Sequence, residues 1–206
     1  AYEFMTIAQT ERFFRGFYPD WNADIYYSLV KKMGLSHKHR VGNMSCGQRS
    51  QVVLGVIMAQ NPDLLILDDY SMGLDAGYRR LFLDVLHDFA AMDGKTIFVT
   101  SHIVQDLEQL VDTIFFLDQG RIIRTGLKEF LNSFKKYVFH SNPGSDPLED
   151  EVIKGVERRR DLVTVYSYHD RDTVAEQLSR QGVEVRDLRK EDMTLEDGFI
   201  GLMGKY

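Results

Sequence analysis

Leu64-Leu65-Ile66-Leu67-Asp68-Asp69 is the stretch that decides the fold. Four aliphatic residues stand in an unbroken row, and an apolar run this short suits a strand covered on both faces of a sheet. Asn61-Pro62-Asp63 breaks the chain just before it, and two adjacent acids end it. Acids at strand ends are most often turn formers or helix caps. A buried strand, however, delivers these two to the carboxyl edge of its sheet, where open α/β folds bind ligands. There Asp68 can hold Mg²⁺, directly or through water. Asp69, on the other side of the chain, can orient or deprotonate a water.

The neighbouring sequence repeats the pattern. Residues 76–92 read as a long helix ended by Asp93-Gly94, and Thr96-Ile97-Phe98-Val99-Thr100 reads as a second buried strand. Strand, helix and strand in succession predict an α/β layer fold with a largely parallel sheet. The second strand closes on Thr100-Ser101-His102. A lone histidine there is more often a cap or a surface residue. If the two strands are neighbours, its imidazole joins the carboxylates, placed to contact a phosphate and hold a water.

Upstream, Met44-Ser45-Cys46-Gly47-Gln48 fits a capping box that opens a helix over 46–60, apolar on most faces and so buried. The same helix start offers unpaired amides and the positive dipole end, and a glycine that lets a phosphate approach. Capping and γ-phosphate binding are compatible readings of these residues. Asn22-Ala23-Asp24 opens another helix, stopped by Gly34, while the aromatic stretch 4–21 reads as irregular. Residues 103–110 read as a helix. Strands over 113–117 and 121–124 flank a turn at Gln119-Gly120. After Gly126 come helices over 127–134 and 173–180 and strands near 137–141, 162–168 and 183–188, a small accessory α/β module. The charged run Glu157-Arg158-Arg159-Arg160-Asp161 reads as a solvated turn.

Composition narrows the function classes. The 206 residues are 44% hydrophobic and 27% charged with a net charge of -6, which gives no electrostatic case for nucleic-acid binding. The longest apolar run, residues 52–59, is too short to span a bilayer, and no signal peptide is visible at Ala1-Tyr2-Glu3-Phe4. Cys46 is the single cysteine, so no intrachain disulfide forms, and a cytosolic protein is expected.

In order and spacing these motifs resemble the nucleotide-binding domain of ATP-binding-cassette (ABC) transporter ATPases, bacterial exporters in particular. Met44 to Gln48 looks like the family signature Leu-Ser-Gly-Gly-Gln, and Leu64 to Asp69 like the Walker B strand. Ser71-Met72-Gly73-Leu74-Asp75 looks like the D-loop, His102 like the switch histidine, and Asp118-Gln119-Gly120-Arg121-Ile122 like the hairpin after it. The likeness covers about residues 4–126, and the tail 193–206 is similar to that of some exporter-type subunits. It implies a partial ABC-ATPase fold: a helical subdomain over 1–60 with the signature, half of the parallel-sheet core over 61–126, and the α/β accessory module over 127–206. It also implies ATP and Mg²⁺ as ligands, with Asp68 holding the metal, Asp69 as general base or water-orienting acid, and His102 on the γ-phosphate. Ser45, Cys46, Gly47 and Gln48 would lie against ATP held by a second subunit, and Asp75 would cross the dimer interface. The implied partners are a second ATPase subunit, identical or not, and separate membrane-spanning subunits at the cytoplasmic face of the cell membrane.

Three departures stand out. No Gly-x-x-x-x-Gly-Lys-Ser/Thr occurs in the 206 residues, so the loop that cradles the β- and γ-phosphates is expected from sequence outside them, and the chain alone is expected to lack ATPase activity. Asp69 replaces the usual glutamate, and Cys46 replaces a glycine. The competing readings are a non-transport ABC ATPase of DNA repair or translation, and a non-enzymatic regulatory fragment.

Overall fold

The computed structural model describes residues 3–118 and 120–204. Gln119 of the expected hairpin turn, Ala1 and Tyr2, and Lys205 and Tyr206 of the tail lie outside the described residues. The chain divides into two compact units, Ala1–His102 and Ile103–Tyr206.

In the first unit the aromatic stretch read as irregular contains a helix, α1 (Ile7–Arg15). A capping box hidden among the aromatics starts it: the Thr6 hydroxyl accepts from the Gln9 amide, and the Gln9 side chain accepts from the Thr6 amide. Helix α2 (Ala23–Lys32) is capped by Asn22, and α3 (Cys46–Ala59) by Ser45. These three helices close one core around Ile7, Tyr26, Val30, Val41, Met44, Val52, Val56 and Ala59. The buried Tyr26 hydroxyl donates to the Ile7 carbonyl at 3.0 Å, and burial pushes its pKa well up. Glu11 is also buried. Its oxygens accept from the Trp21 indole at 3.0 Å and the Tyr27 hydroxyl at 3.4 Å.

The expected strands are β1 (Leu64–Asp68) and β2 (Thr96–Thr100), joined by α4 (Ala76–Ala90), and they pair in parallel with Leu64 opposite Thr96 and Asp68 opposite Thr100. Burial on both faces does not hold. Leu65 and Leu67 are buried, but Leu64 and Ile66 on the alternate face are 53% and 65% exposed. Period two puts Asp68 on that exposed face.

The second unit begins with α5 (Val104–Glu108) and the antiparallel pair β3 (Thr113–Asp118) and β4 (Arg121–Gly126). Then come α6 (Leu127–Ser133), β5 (Lys135–His140), β6 (Gly155–Arg159), β7 (Leu162–Ser167), α7 (Arg171–Arg180), β8 (Arg186–Glu191) and α8 (Leu195–Met203). The second compact unit thus opens with α5 and the hairpin, ahead of Gly126. Ile114 and Phe116 of β3 share a core with Leu127, Phe130, Phe134, Tyr166 and Leu195, which ties the hairpin to the later elements of the second unit. The sheet order is β6-β7-β5-β8, all antiparallel, so among the described residues the parallel pairing expected for most strands is confined to β1–β2.

Both faces of this four-stranded sheet are covered. Val174 and Leu178 of α7 pack on Tyr137, Phe139, Val163 and Val165, and α8 packs on the other face. Helix α8 comes unusually close because Gly201 has no side chain: a Cβ there would lie 2.3 Å from the Tyr166 ring. Of the charged run read as a solvated turn, Glu157, Arg158 and Arg159 end β6, and Arg160 and Asp161 form the turn into β7. Arg159 and Arg160 are exposed, but Arg158 donates to the carbonyls of Ser141, Asn142 and Ser145 and to Asp146, and so holds the loop before β6. Among the described residues no helix is long and apolar enough to cross a membrane.

Candidate active site

The parallel register of β1 and β2 sets Asp68 beside Thr100, whose hydroxyl donates to Asp68 Oδ1 at 2.5 Å. The next residue leaves the strand. Asp69 takes a left-handed backbone with φ 46°, a conformation that aspartate tolerates better than most side chains. Its amide donates to the Thr100 carbonyl at 3.1 Å and to the Thr100 hydroxyl at 3.0 Å. This turn brings the Asp69 carboxylate to His102, whose Nδ1 lies 2.8 Å and 3.0 Å from its two oxygens. A carboxylate accepts only, so Nδ1 carries the proton and Nε2 is the nitrogen left to meet a ligand. Asp68, Asp69, Thr100 and His102 thus form one hydrogen-bonded group at the carboxyl edge of the strand pair. The His102 side chain is 60% exposed and that of Asp69 36%, so the group is open to a ligand.

A second group forms at the start of α3. The Ser45 hydroxyl accepts from the Gln48 amide at 3.2 Å, and the Gln48 side-chain oxygen accepts from the Ser45 amide at 3.0 Å. The box uses one lone pair of the hydroxyl and the amide oxygen. The hydroxyl hydrogen and the Gln48 NH₂ are the donors such groups retain, so capping leaves anion binding chemically possible. Cys46 is exposed at the first helical position. Gly47 is buried, and the reason is packing: a Cβ there would lie 2.5 Å from Cδ2 of Tyr78. Room for the Tyr78 ring on α4 is thus a requirement for glycine at this position.

Asp75 caps α4, accepting from the Tyr78 amide at 3.0 Å, and the Tyr78 carbonyl accepts from the fully buried Gln51 side chain at 3.2 Å. The D-loop-like stretch and the signature-like helix therefore meet at Tyr78. A second tie runs from the acids themselves. Tyr70, directly after Asp69, donates to the Ser50 carbonyl on α3 at 2.5 Å and stacks on Phe82, and burial pushes its pKa up to about 12. Thr100, Tyr70, Tyr78 and Gln51 had no role assigned from sequence. Only Thr100 carried a signal, its place directly ahead of Ser101-His102.

One exposed carboxylate with an adjacent hydroxyl suits Mg²⁺, which keeps several waters and takes its other oxygens from phosphates. Among the described residues no group of three or more His, Cys, Asp or Glu that could hold a metal ion occurs.

An acidic edge on a parallel strand pair, joined through tyrosines to a capped helix start, defines a mixed α/β protein with its candidate chemistry at a strand terminus. No family model matches the chain. Individual proteins do. It is 34% identical over 186 residues to the Nod factor export ATP-binding protein I of Rhizobium meliloti (strain 1021), covering 86% of this chain and 54% of that protein. It is 27% identical over 186 residues to the bacitracin transport ATP-binding protein BcrA of Bacillus licheniformis, covering 85% of this chain and 61% of that protein. Among solved structures, the ATP-binding subunit of an ABC transporter superposes with a TM-score of 0.54 at 21% identity, over 64% of this chain and 57% of that one. A dimeric bacterial ABC transporter cassette gives 0.50 at 20% identity, over 61% and 58%. The chain is homologous to ABC transporter ATP-binding proteins over most of its length, and it spans little more than half the length of these relatives.

Proposed function

We propose that this chain supplies the signature and acidic-edge parts of an ABC-type ATPase subunit of a bacterial transporter, exporter-like as in the Nod factor export relative. The observation that supports it best is the single group made by Asp68, Asp69, Thr100 and His102. In this reading residues 1–126 are the ATPase portion and 127–206 an accessory module. A phosphate-gripping segment that these 206 residues do not contain completes the site. The protein works as a head-to-tail dimer with membrane-spanning subunits, peripheral to the cytoplasmic face of the membrane.

The proposed roles are these. Mg²⁺, held at Asp68 through water, would neutralise charge on the β- and γ-phosphates of ATP. The Asp69 carboxylate orients and accepts a proton from the attacking water, one methylene shorter than a glutamate would be. His102 donates Nδ1–H to Asp69. To donate to a γ-phosphate oxygen as well, it uses a second proton on Nε2, so the imidazolium is the form that bridges acid and phosphate. Ser45 and Gln48 donate to the γ-phosphate of ATP on the second subunit, beside Cys46 and Gly47, and Asp75 reaches the interface.

Two experiments test this. Titration of the isolated chain with Mg-ATP in a calorimeter is expected to show no saturable binding, and tight binding would sink the claim that another segment grips the phosphates. In the protein assembled with its membrane subunits, His102→Ala is expected to suppress ATP turnover with ATP binding retained. Unchanged turnover contradicts the role given to His102.

A further inference from the structure

We propose that the Thr100 hydroxyl is the positioning group of the acidic edge, tying Asp68 to the backbone of Asp69 and so aiming Asp69 at His102. Its geometry stands by itself; its catalytic meaning rests on the function proposed above. A hydroxyl has one hydrogen and two lone pairs. The hydrogen goes to Asp68 Oδ1 at 2.5 Å, which turns a lone pair to the Asp69 N–H at 3.0 Å. The same N–H reaches the Thr100 carbonyl at 3.1 Å, so Thr100 holds the Asp69 amide from two atoms.

This double hold falls where the backbone needs it. Asp69 sits at φ 46°, a conformation that a side-chain-bearing residue keeps only where surrounding bonds define it. Released from the left-handed region, the chain would continue along β1 and carry the carboxylate away from Nδ1. Thr100 also occupies one oxygen of Asp68, which leaves Oδ2 as the oxygen for a hydrated metal. The coupling needs an oxygen at the β-position of residue 100 in this register. Serine supplies it. Valine keeps the branched shape and strand preference without it.

The test is heteronuclear NMR on the nucleotide-free chain, reading the protonated nitrogen of His102 and the exchange rate of the Asp69 amide. The native chain is expected to show neutral His102 protonated on Nδ1 and a protected Asp69 amide. Thr100→Val is expected to move the imidazole toward the Nε2-protonated form and to speed Asp69 exchange about tenfold, and Thr100→Ser to restore both. Thr100→Val with native tautomer and native exchange overturns the proposal. Should the valine variant not fold, the native and serine chains decide: His102 protonated on Nδ1 in both supports it, and on Nε2 in either overturns it. Because no nucleotide is involved, the result stands apart from whether the assembled protein hydrolyses ATP.

Discussion

In the β1–β2 pair, Leu64 and Ile66 face outward and the hydrogen bonds gather at one open edge around Asp68, Asp69 and His102. In the sheet β6-β7-β5-β8 both faces are filled, and polar groups close on one another. Asp150 illustrates the second plan: it accepts from the amides of Val152 and Ile153 and from the side chains of Gln177 and Gln181. The first arrangement leaves apolar surface and acidic oxygens for something else to meet. The second is finished within its own residues. The difference is why the candidate site is sought in the first unit.

The largest effect on stability is expected where the finished region has no slack. Gly201→Ala drives a Cβ into Tyr166 and should destabilise the second unit by about 3 kcal/mol, read as a lower melting temperature by near-UV circular dichroism. A native melting curve would contradict the close packing of α8. Gly47→Ala makes a similar clash, but Tyr78 is only half-buried and can swing aside, so about 1–2 kcal/mol is expected. The informative readout there is an amide-shift change that spreads from Ser45 and Gln48 to Asp75. Changes confined to α3 would break the coupling through Tyr78.

Legibility in the sequence obeys the same division. Strands β1 and β2 and helix α3 could be read because unbroken aliphatic runs and the Ser45–Gln48 box are local signals. The candidate acids and His102 could be read as separate groups, and the parallel register supplied their convergence. Helix α1 was hidden because its capping box at Thr6 lies among aromatics that look irregular. Strand β6 was hidden because Arg158 is a charged residue whose donors are consumed by a loop, which only the fold brings within reach. Thr100, Tyr70 and Tyr78 act through cross-strand or helix–helix partners distant in sequence, and no periodicity reports them. The exposed face of β1 contradicts its pattern because a continuous apolar run records the burial a strand is suited to, not the partners present.

Smaller effects sharpen the contrast. Asp150→Ala removes the acceptor for two loop amides and two glutamine side chains, and should cost about 2 kcal/mol by denaturant unfolding of the second unit. The pH dependence has a defined sign. Burial raises the Asp150 pKa, but the amides of Ile153 and Val152 and the two glutamines outweigh it and hold the carboxyl below its ordinary 3.8. A depressed folded-state value means stability that is present above about 3.8 and lost as pH falls through the folded value, so Asp150→Ala should flatten the acid limb of unfolding. At the small end, Ile66→Ser on the exposed face of β1 is expected to change stability by no more than about 0.5 kcal/mol. A loss of several kcal/mol would mean that this face is already filled.

The most direct test of the central claim is single-turnover ATP hydrolysis by the protein assembled with the partners proposed for it and carrying Asp69→Asn. The amide keeps the size of the carboxylate and cannot accept the water's proton, so hydrolysis is expected to fall about 100-fold or more with ATP binding retained. Hydrolysis at the native rate would contradict the assignment of the Asp68–Asp69 edge as the hydrolytic site.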